Sequence, residues 1–195
     1  MRVIAGKYRS RKLNSFRGSG IRPTSDRLRE TLFNILTAGN PSALENTVWI
    51  DLFAGTGAVG IEALSRGAKH VYFVDSSSSA VSLIQKNLQT LDMTSGFTVL
   101  QNDVLRGLWH LERRHVAAEV IFLDPPYRLQ ETYAQALLAL AASSVVWAMS
   151  VVIVEHEKNL DPGPTFAPLR RFRTVAQGDA ALSFYRIDAS TLVNQ

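Results

Sequence analysis

The sequence predicts an α/β fold: a mostly parallel sheet with helices on both faces, finished by an antiparallel β-hairpin. Three observations predict it. Short apolar runs alternate with segments of helical periodicity along most of the 195 residues, the pattern of strands joined by crossover helices. Asp51–Gly60, read D-L-F-A-G-T-G-A-V-G, is a Gly-rich turn set between a strand and a helix. Near the end, Arg171–Ala176 and Ala181–Ile187 flank Gln177-Gly178-Asp179, which reads as a hairpin with a Gly-containing turn. The five strands of the alternating part and the two of the hairpin make a seven-stranded sheet.

Taken in order, Arg2–Ala5 and Arg9–Leu13 flank Gly6 and predict a small hairpin or ordered arm, and Asn14–Gly20 reads as a loop. Arg22-Pro23-Thr24 is extended, because the residue before proline avoids the α region. Thr24 or Ser25 then caps a helix whose apolar face is Leu28, Leu32, Phe33, Ile35 and Leu36, stopped by Gly39-Asn40-Pro41. Val48–Leu52 is a short apolar strand of the buried parallel type, followed by the glycine turn and a helix, Ile61–Ser65, which Gly67 closes. Val71–Val74 is the next strand and ends at Asp75. The serine run Ser76–Ser79 caps a helix with the face Val81, Ile84, Leu88 and Leu91. Phe97–Leu100 is a strand leading to Gln101-Asn102-Asp103, Leu105–His115 a short helix, and Val120–Leu123 a strand ending at Asp124. The alanines of Tyr133–Leu140 favour a helix, and Val151–Val154 is a strand ending at Glu155. Leu160–Pro168 carries three prolines and reads as a loop.

The glycine turn is a cofactor corner. Its backbone can approach a ligand closely, and amides of the first helical turn can donate to it. Gly55, Gly57 and Gly60 satisfy G-x-G-x-x-G, and Asp75 lies 20 residues after Gly55, which is near a full dinucleotide fingerprint. Asp51 argues against a pyrophosphate, because it ends the strand beside the turn with a negative charge. A cationic ligand without phosphate suits it better, and S-adenosylmethionine, with its sulfonium and ammonium groups, is such a ligand. The glycines alone leave the two ligand readings level, with a merely structural tight turn as the lesser alternative.

A second motif separates them. Asp124-Pro125-Pro126-Tyr127 follows a strand, and its two prolines remove two N–H donors while leaving the carbonyls to accept. A rigid edge of acceptors beside an aromatic ring fits an exocyclic amine on a flat base. Asp124 and the Pro125 carbonyl would each take one N–H, Tyr127 would stack on the ring, and the nitrogen lone pair would face a sulfonium methyl. On its own the Pro-Pro pair merely ends a strand; with the glycine corner it points to amine methylation. Asp51, Asp75, Asp103 and Asp124 stand at or just beyond successive strand ends, on one crevice.

Charge adds a partner. Residues 1–30 hold nine basic and two acidic side chains, a net +7 against +4 for the whole chain, which leaves −3 for the remainder. Such a block suits a polyanion, and the interleaved Val3, Ile4, Tyr8, Leu13, Phe16 and Ile21 let it fold onto something rather than trail as a solvated arm. There is no cysteine, which excludes disulfides and thiolate chemistry, and the four scattered histidines give no metal-ligand spacing. No membrane-length apolar run or signal-peptide core is present, so a cytoplasmic location is expected.

Together these motifs resemble the amino-methyltransferases that modify adenine N6 or guanine N2, and the chain resembles the RsmD-like family of bacterial 16S rRNA guanine-N2 methyltransferases from end to end. The match runs through Ala5-Gly6, Arg9–Leu13, Arg22–Asn34, Asp51–Gly57 and Gly60–Gly67. It implies a Rossmann-like class I S-adenosylmethionine-dependent methyltransferase domain over 26–195, preceded by an RNA-docking basic arm over 1–25. It implies a cofactor site made by Asp51, Phe53, Ala54, Gly55, Gly57, Asp75, Ser76, Asn102, Asp103 and Asp124, with an amine-acceptor site at Asp124, Pro125, Pro126 and Tyr127. Arg9, Arg11, Lys12, Arg22, Arg27 and Arg29 become the RNA-facing set. The family also implies action on 16S rRNA within an assembled or partly assembled 30S subunit, and with no coiled coil or long apolar surface helix to force association a monomer is expected. Two departures stand out: Ser10 replaces a common glycine, and Asp75 replaces a common glutamate.

Three rivals remain in view. A DNA adenine-N6 methyltransferase shares both motifs but needs a larger recognition region than the first 25 residues. A nicotinamide oxidoreductase would leave the Asp-Pro-Pro-Tyr motif idle, and a non-enzymatic RNA-binding assembly factor would leave the cofactor corner idle. Because arm and corner are separate in sequence, cofactor binding is expected to survive removal of the arm.

Overall fold

A computed structural model describes residues 1–16, 25–126 and 130–188. Arg22 and Tyr127, with the extended Arg22-Pro23-Thr24 segment, lie outside the described residues.

The elements follow the predicted order. They are α1 (Asp26–Leu36), β1 (Val48–Leu52), α2 (Ala58–Ser65), β2 (His70–Asp75), α3 (Ser78–Thr90), β3 (Phe97–Gln101), α4 (Val104–Glu112), β4 (Val120–Leu123), α5 (Gln130–Ala141), β5 (Val151–Glu157), β6 (Thr165–Phe166), β7 (Leu169–Gln177) and β8 (Ala180–Ile187). Ser25 caps α1 by accepting from the Leu28 amide at 3.1 Å. One sheet holds all the strands in the order β3-β2-β1-β4-β5-β8-β7-β6. β1 to β5 pair in parallel, and β8, β7 and β6 add to the β5 edge antiparallel. The sheet therefore has eight strands against the seven expected. The extra one is β6, a two-residue pairing of Thr165 and Phe166 with Arg170 and Leu169, inside the proline-rich segment read as loop. The prolines flank these two residues and leave their ladder intact.

Strand alternation sends side chains to two cores. On one face Trp49, Phe73, Phe122, Ile153 and Phe184 pack with Leu28, Leu32 and Phe33 of α1, Ile61 of α2 and Ile84 and Leu88 of α3. On the other, Ile50, Leu52, Ile121, Val152 and Tyr185 pack with Leu108 and Leu111 of α4 and Tyr133, Leu137 and Leu140 of α5. Among the described residues no helix is long and apolar enough to cross a membrane.

The basic arm is part of this body. Arg2 and Lys12 form an antiparallel bridge, the Val3 amide donates to the Arg11 carbonyl, and the Ser10 amide donates to the Val3 carbonyl. Val3 and Leu13 are buried in the first core. Ser10 sits at φ +68°, the left-handed region that a glycine takes without strain, so the serine at this position carries a cost that glycine would not. Gly6 lies so close to α2 that a Cβ there would fall 1.8 Å from the Ser65 carbonyl oxygen.

Candidate active site

The order β3-β2-β1-β4 puts a topological switch point between β1 and β4, and an open α/β sheet binds its ligands at such a crevice, beyond the carboxyl ends of the strands. The glycine turn leaves β1 there and the Asp-Pro-Pro segment leaves β4. Leu52 and Leu123 are paired in register, and the Asp124 amide meets the Leu52 carbonyl at 3.5 Å.

Each half of the corner is held by a carboxylate. Asp75, at the end of β2, accepts from the Gly55 amide at 2.8 Å through Oδ2 and from the Ser77 amide at 2.9 Å through Oδ1. Both oxygens keep further lone pairs for hydroxyl donors. The Asp75 carbonyl also accepts from the Asn102 amide at 3.1 Å, which ties the end of β3 to the same spot. Asp51 points the other way. It is buried, and its Oδ2 accepts from the Gly60 amide at 3.0 Å, inside the first turns of α2. Burial pushes its carboxyl up to about 8; the Gly60 hydrogen bond opposes this and the charge of Asp75 adds to it. Asp51 therefore secures the turn from beneath instead of standing in an open row of acids.

The turn itself is shaped for a close ligand. Gly55 has φ +55°, and a Cβ there would meet nothing nearer than the Phe53 carbonyl at 3.8 Å, so the backbone faces open space. Phe53 is also left-handed, at φ +58°. Gly57 caps α2 with φ +74° and no side-chain acceptor, and its backbone amide donates to the Ala54 carbonyl at 2.7 Å. Gly60 serves packing: a Cβ there would lie 2.3 Å from the Phe73 ring. An open glycine backbone flanked by the Asp75 carboxylate and a helix start whose N-cap is a bare glycine fits a cofactor with a ribose and an amino-acid tail. Ser76 is exposed beside Asp75, and Asn102 is half-buried. Asp103 is exposed and caps α4, accepting from the Arg106 amide at 2.9 Å.

On the acceptor side Asp124 is half-buried, Pro125 buried and Pro126 exposed. Nothing in the sequence marks Tyr133 as a partner here, since it reads as one apolar position of a helix. Its hydroxyl, on α5, donates to the Pro125 carbonyl at 3.4 Å. Burial and the negative charges of Asp124, Glu155 and Glu157 all raise its pKa, so it stays a donor. One lone pair of the Pro125 carbonyl is thereby taken, and a carbonyl oxygen carries two.

The arm reaches this corner: the two are separate in sequence but in contact in the fold. Glu62 of α2 is fully buried and accepts from the Ile4 amide at 2.7 Å, the Ala5 amide at 2.9 Å and Arg66 Nε at 2.8 Å. Ser65 donates to the Ala5 carbonyl and accepts from the Tyr8 amide. Asn87 of α3 accepts from the Asn14 amide at 2.7 Å, and its Nδ2 donates to both the Asn14 carbonyl and the carbonyl of Thr56, inside the glycine turn. Neither Glu62 nor Asn87 belonged to the expected site, because both occupy ordinary helix positions in the sequence.

Among the basic residues, Arg9, Arg11, Lys12 and Arg27 are exposed. Arg2, Arg9, Ser10, Arg27 and Glu30 line a polar groove of about 390 Å³ between the arm and α1. Arg11 donates to the Thr90 carbonyl and lies 3.6 Å from Asp92. Arg29 does not join them, which corrects the expected RNA-facing set. It is fully buried, donates to the Arg2 carbonyl and to Asp26 at 2.9 Å, and lies 3.9 Å from Glu62. Desolvation lowers its pKa while Asp26 and Glu62 oppose the shift. Arg29 is a bolt between arm, α1 and α2.

The sheet order and the glycine corner at its switch point are those of the S-adenosylmethionine-dependent methyltransferase fold. More particularly, the chain belongs to the family described as Conserved hypothetical protein 95, the RsmD family, whose model matches residues 1–186. It is 35% identical over 159 residues to Ribosomal RNA small subunit methyltransferase D of Haemophilus influenzae, covering 82% of this chain and 80% of that protein. It is 34% identical over 187 residues to YlbH of Bacillus subtilis, covering 95% and 98%. Among solved structures, a hypothetical protein of Thermus thermophilus superposes with a TM-score of 0.81 at 27% identity, covering 96% of this chain and 99% of that one.

Proposed function

We propose that this protein transfers a methyl group from S-adenosylmethionine to the exocyclic N2 amine of a guanine in 16S rRNA, within an assembled or partly assembled small ribosomal subunit. The observation that carries the reading is the adjacency of the glycine corner and the Asp-Pro-Pro segment on neighbouring strands β1 and β4. The family relation to small-subunit rRNA methyltransferases supports the substrate class.

Gly55, Gly57 and Asp75 would hold the methionine and ribose parts of the cofactor, with Asn102 and Asp103 at its base. The bound cofactor supplies an electrophilic methyl, so the protein has mainly to position the amine. Asp124 and the Pro125 carbonyl accept the two amine hydrogens and aim the nitrogen lone pair. Asp124 need not act as a strong base, because the proton can leave after the methyl arrives. Tyr127 completes this site by stacking on the base. The exposed Arg9, Arg11, Lys12 and Arg27, with Arg22, dock the RNA backbone by charge. The protein works as a monomer in the cytoplasm.

The test is transfer of labelled methyl to 30S particles lacking the modification, to free 16S rRNA and to duplex DNA, followed by nucleoside analysis. N2-methylguanosine in the particles is the expected product, and N6-methyladenine in DNA would overturn the substrate. Asp124→Ala is expected to lower turnover by roughly 10²-fold while calorimetry shows cofactor binding unchanged, because it removes a contact to the aligned amine. Full turnover in that variant would reject the acceptor assignment.

A further inference from the structure

β7 has an irregularity that the methyl-transfer site does not use. Its register with β8 shifts between Arg171 and Arg173, so Phe172 is the extra residue of a β-bulge. The ring is 47% exposed, although it is a large apolar side chain on an edge of the sheet. The Arg186 guanidinium lies over it, 5.1 Å from the centroid, and the Phe184 ring packs against it in a tilted arrangement with centroids 6.2 Å apart. Cross-strand pairing places Arg173 opposite Phe184, and Arg170 opposite Arg186. Side chains opposite one another share a face, so Arg170, Arg173 and Arg186 lie on the Phe184 face, and the ring contacts of Phe172 with Phe184 and Arg186 put it there too. That face carries the basic arm and α1, since Phe184 belongs to the same core as Val3 and Leu28.

Two arginines directly opposite each other repel. Asp188 offsets Arg170 at 3.3 Å, while Arg173 and Arg186 are exposed beside the ring. An edge strand is kept from aggregating by charges and a bulge, and that accounts for the arginines and the kink. It does not account for an exposed phenyl ring that lies under the Arg186 guanidinium and is followed in the strand by a second exposed arginine, Arg173. That combination fits single-stranded RNA, in which unstacked bases lie on aromatic and guanidinium planes while cations track the phosphates.

We infer that the Phe172 bulge with Arg173 and Arg186 is a second rRNA contact, a platform for an unpaired base, separate from the arm but on the same face of the sheet. The inference rests on the reading that the substrate is rRNA. A strand crossing that face would meet the arm at one end and the bulge at the other, and the bulge would select unpaired over duplex RNA.

Fluorescence anisotropy with a labelled single-stranded oligoribonucleotide tests it on the full chain, with the cofactor dissociation constant as the control for folding. Phe172→Leu, which keeps bulk but removes the ring face, is expected to weaken binding about fivefold or more, and Phe172→Trp to retain it. Arg173→Gln with Arg186→Gln is expected to flatten the dependence of log K on log salt by about 0.7 for each cation removed. Wild-type affinity in Phe172→Leu, or an unchanged salt slope in the arginine pair, would overturn the inference. So would a defect seen on 30S particles but absent on the free oligoribonucleotide, which would mark a contact with ribosomal protein. If these binding defects occur while the wild-type protein methylates no rRNA, the surface stands and the proposed reaction fails.

Discussion

At the scale of single residues, Asp51 and Tyr133 show how buried polar groups prepare this site. Burial raises the Asp51 carboxyl from an ordinary 3.8 to about 8. Between those values the folded protein holds a proton that the unfolded chain has released. Its contribution to stability is therefore full below about pH 4 and is lost as pH rises through about 8. Asp51→Asn keeps an acceptor for the Gly60 amide and removes the titration. Denaturant midpoints are expected to show the variant gaining on the wild type steadily across that window, and parallel profiles would reject the raised carboxyl. Tyr133→Phe removes the donor to the Pro125 carbonyl. The loss of one neutral hydrogen bond, about 1 kcal/mol, is expected to lower kcat severalfold with the cofactor dissociation constant unmoved. That Gly55 and Asp75 meet was legible from spacing, because a glycine turn after one strand and an acid at the end of the next lie side by side in a parallel sheet. Asp51 was legible as special but misread in direction, since its position at a strand end does not reveal that its side chain points under α2. Arg29 was misread because a charge count cannot separate an exposed cation from one buried against Glu62 and Asp26.

At the scale of elements, α2 and α3 each do two jobs. Their sheet-facing sides fill the first core, and their polar positions grip the arm. Asn87 joins the Asn14 backbone to the Thr56 carbonyl, so the shape of the glycine turn depends on a residue that touches no ligand. Asn87→Ala leaves buried backbone groups unsatisfied, at about 1–3 kcal/mol. Cofactor affinity measured by calorimetry is expected to fall about tenfold, and an unchanged value would show that the turn holds itself. The helices and parallel strands were legible because their apolar periodicity is strong. The polar grips were not, because one Asn and one Glu inside a helix pattern carry no mark of their partners. β6 was missed for a related reason: two residues cannot establish a period, and the surrounding prolines dominate the reading.

At the scale of the whole molecule, the arm and the methyltransferase body are one packed unit. Removing residues 1–16 takes Val3 and Leu13 out of the first core and strips Glu62 and Asn87 of the arm amides they hold, leaving Glu62 with Arg66 and Asn87 with the Thr56 carbonyl. Burial of two such side chains is worth about 3–6 kcal/mol, which predicts a fall in Tm of about 10 °C or more, together with weaker cofactor binding. Scanning calorimetry of the shortened chain checks this; a Tm near that of the full chain would mean that the arm is an accessory. The far side of the sheet carries a different consequence. Among the described residues β8 is the last strand in sequence, yet it lies between β5 and β7. While the chain is being synthesised, β5 therefore ends the sheet with its apolar edge, Val152 to Val154, unpaired, and β6 and β7 have no strand that links them to it. A ribosome that stalls before Ala180 releases a product with that sticky edge open. Completion of the final strand is what seals the protein against its own copies.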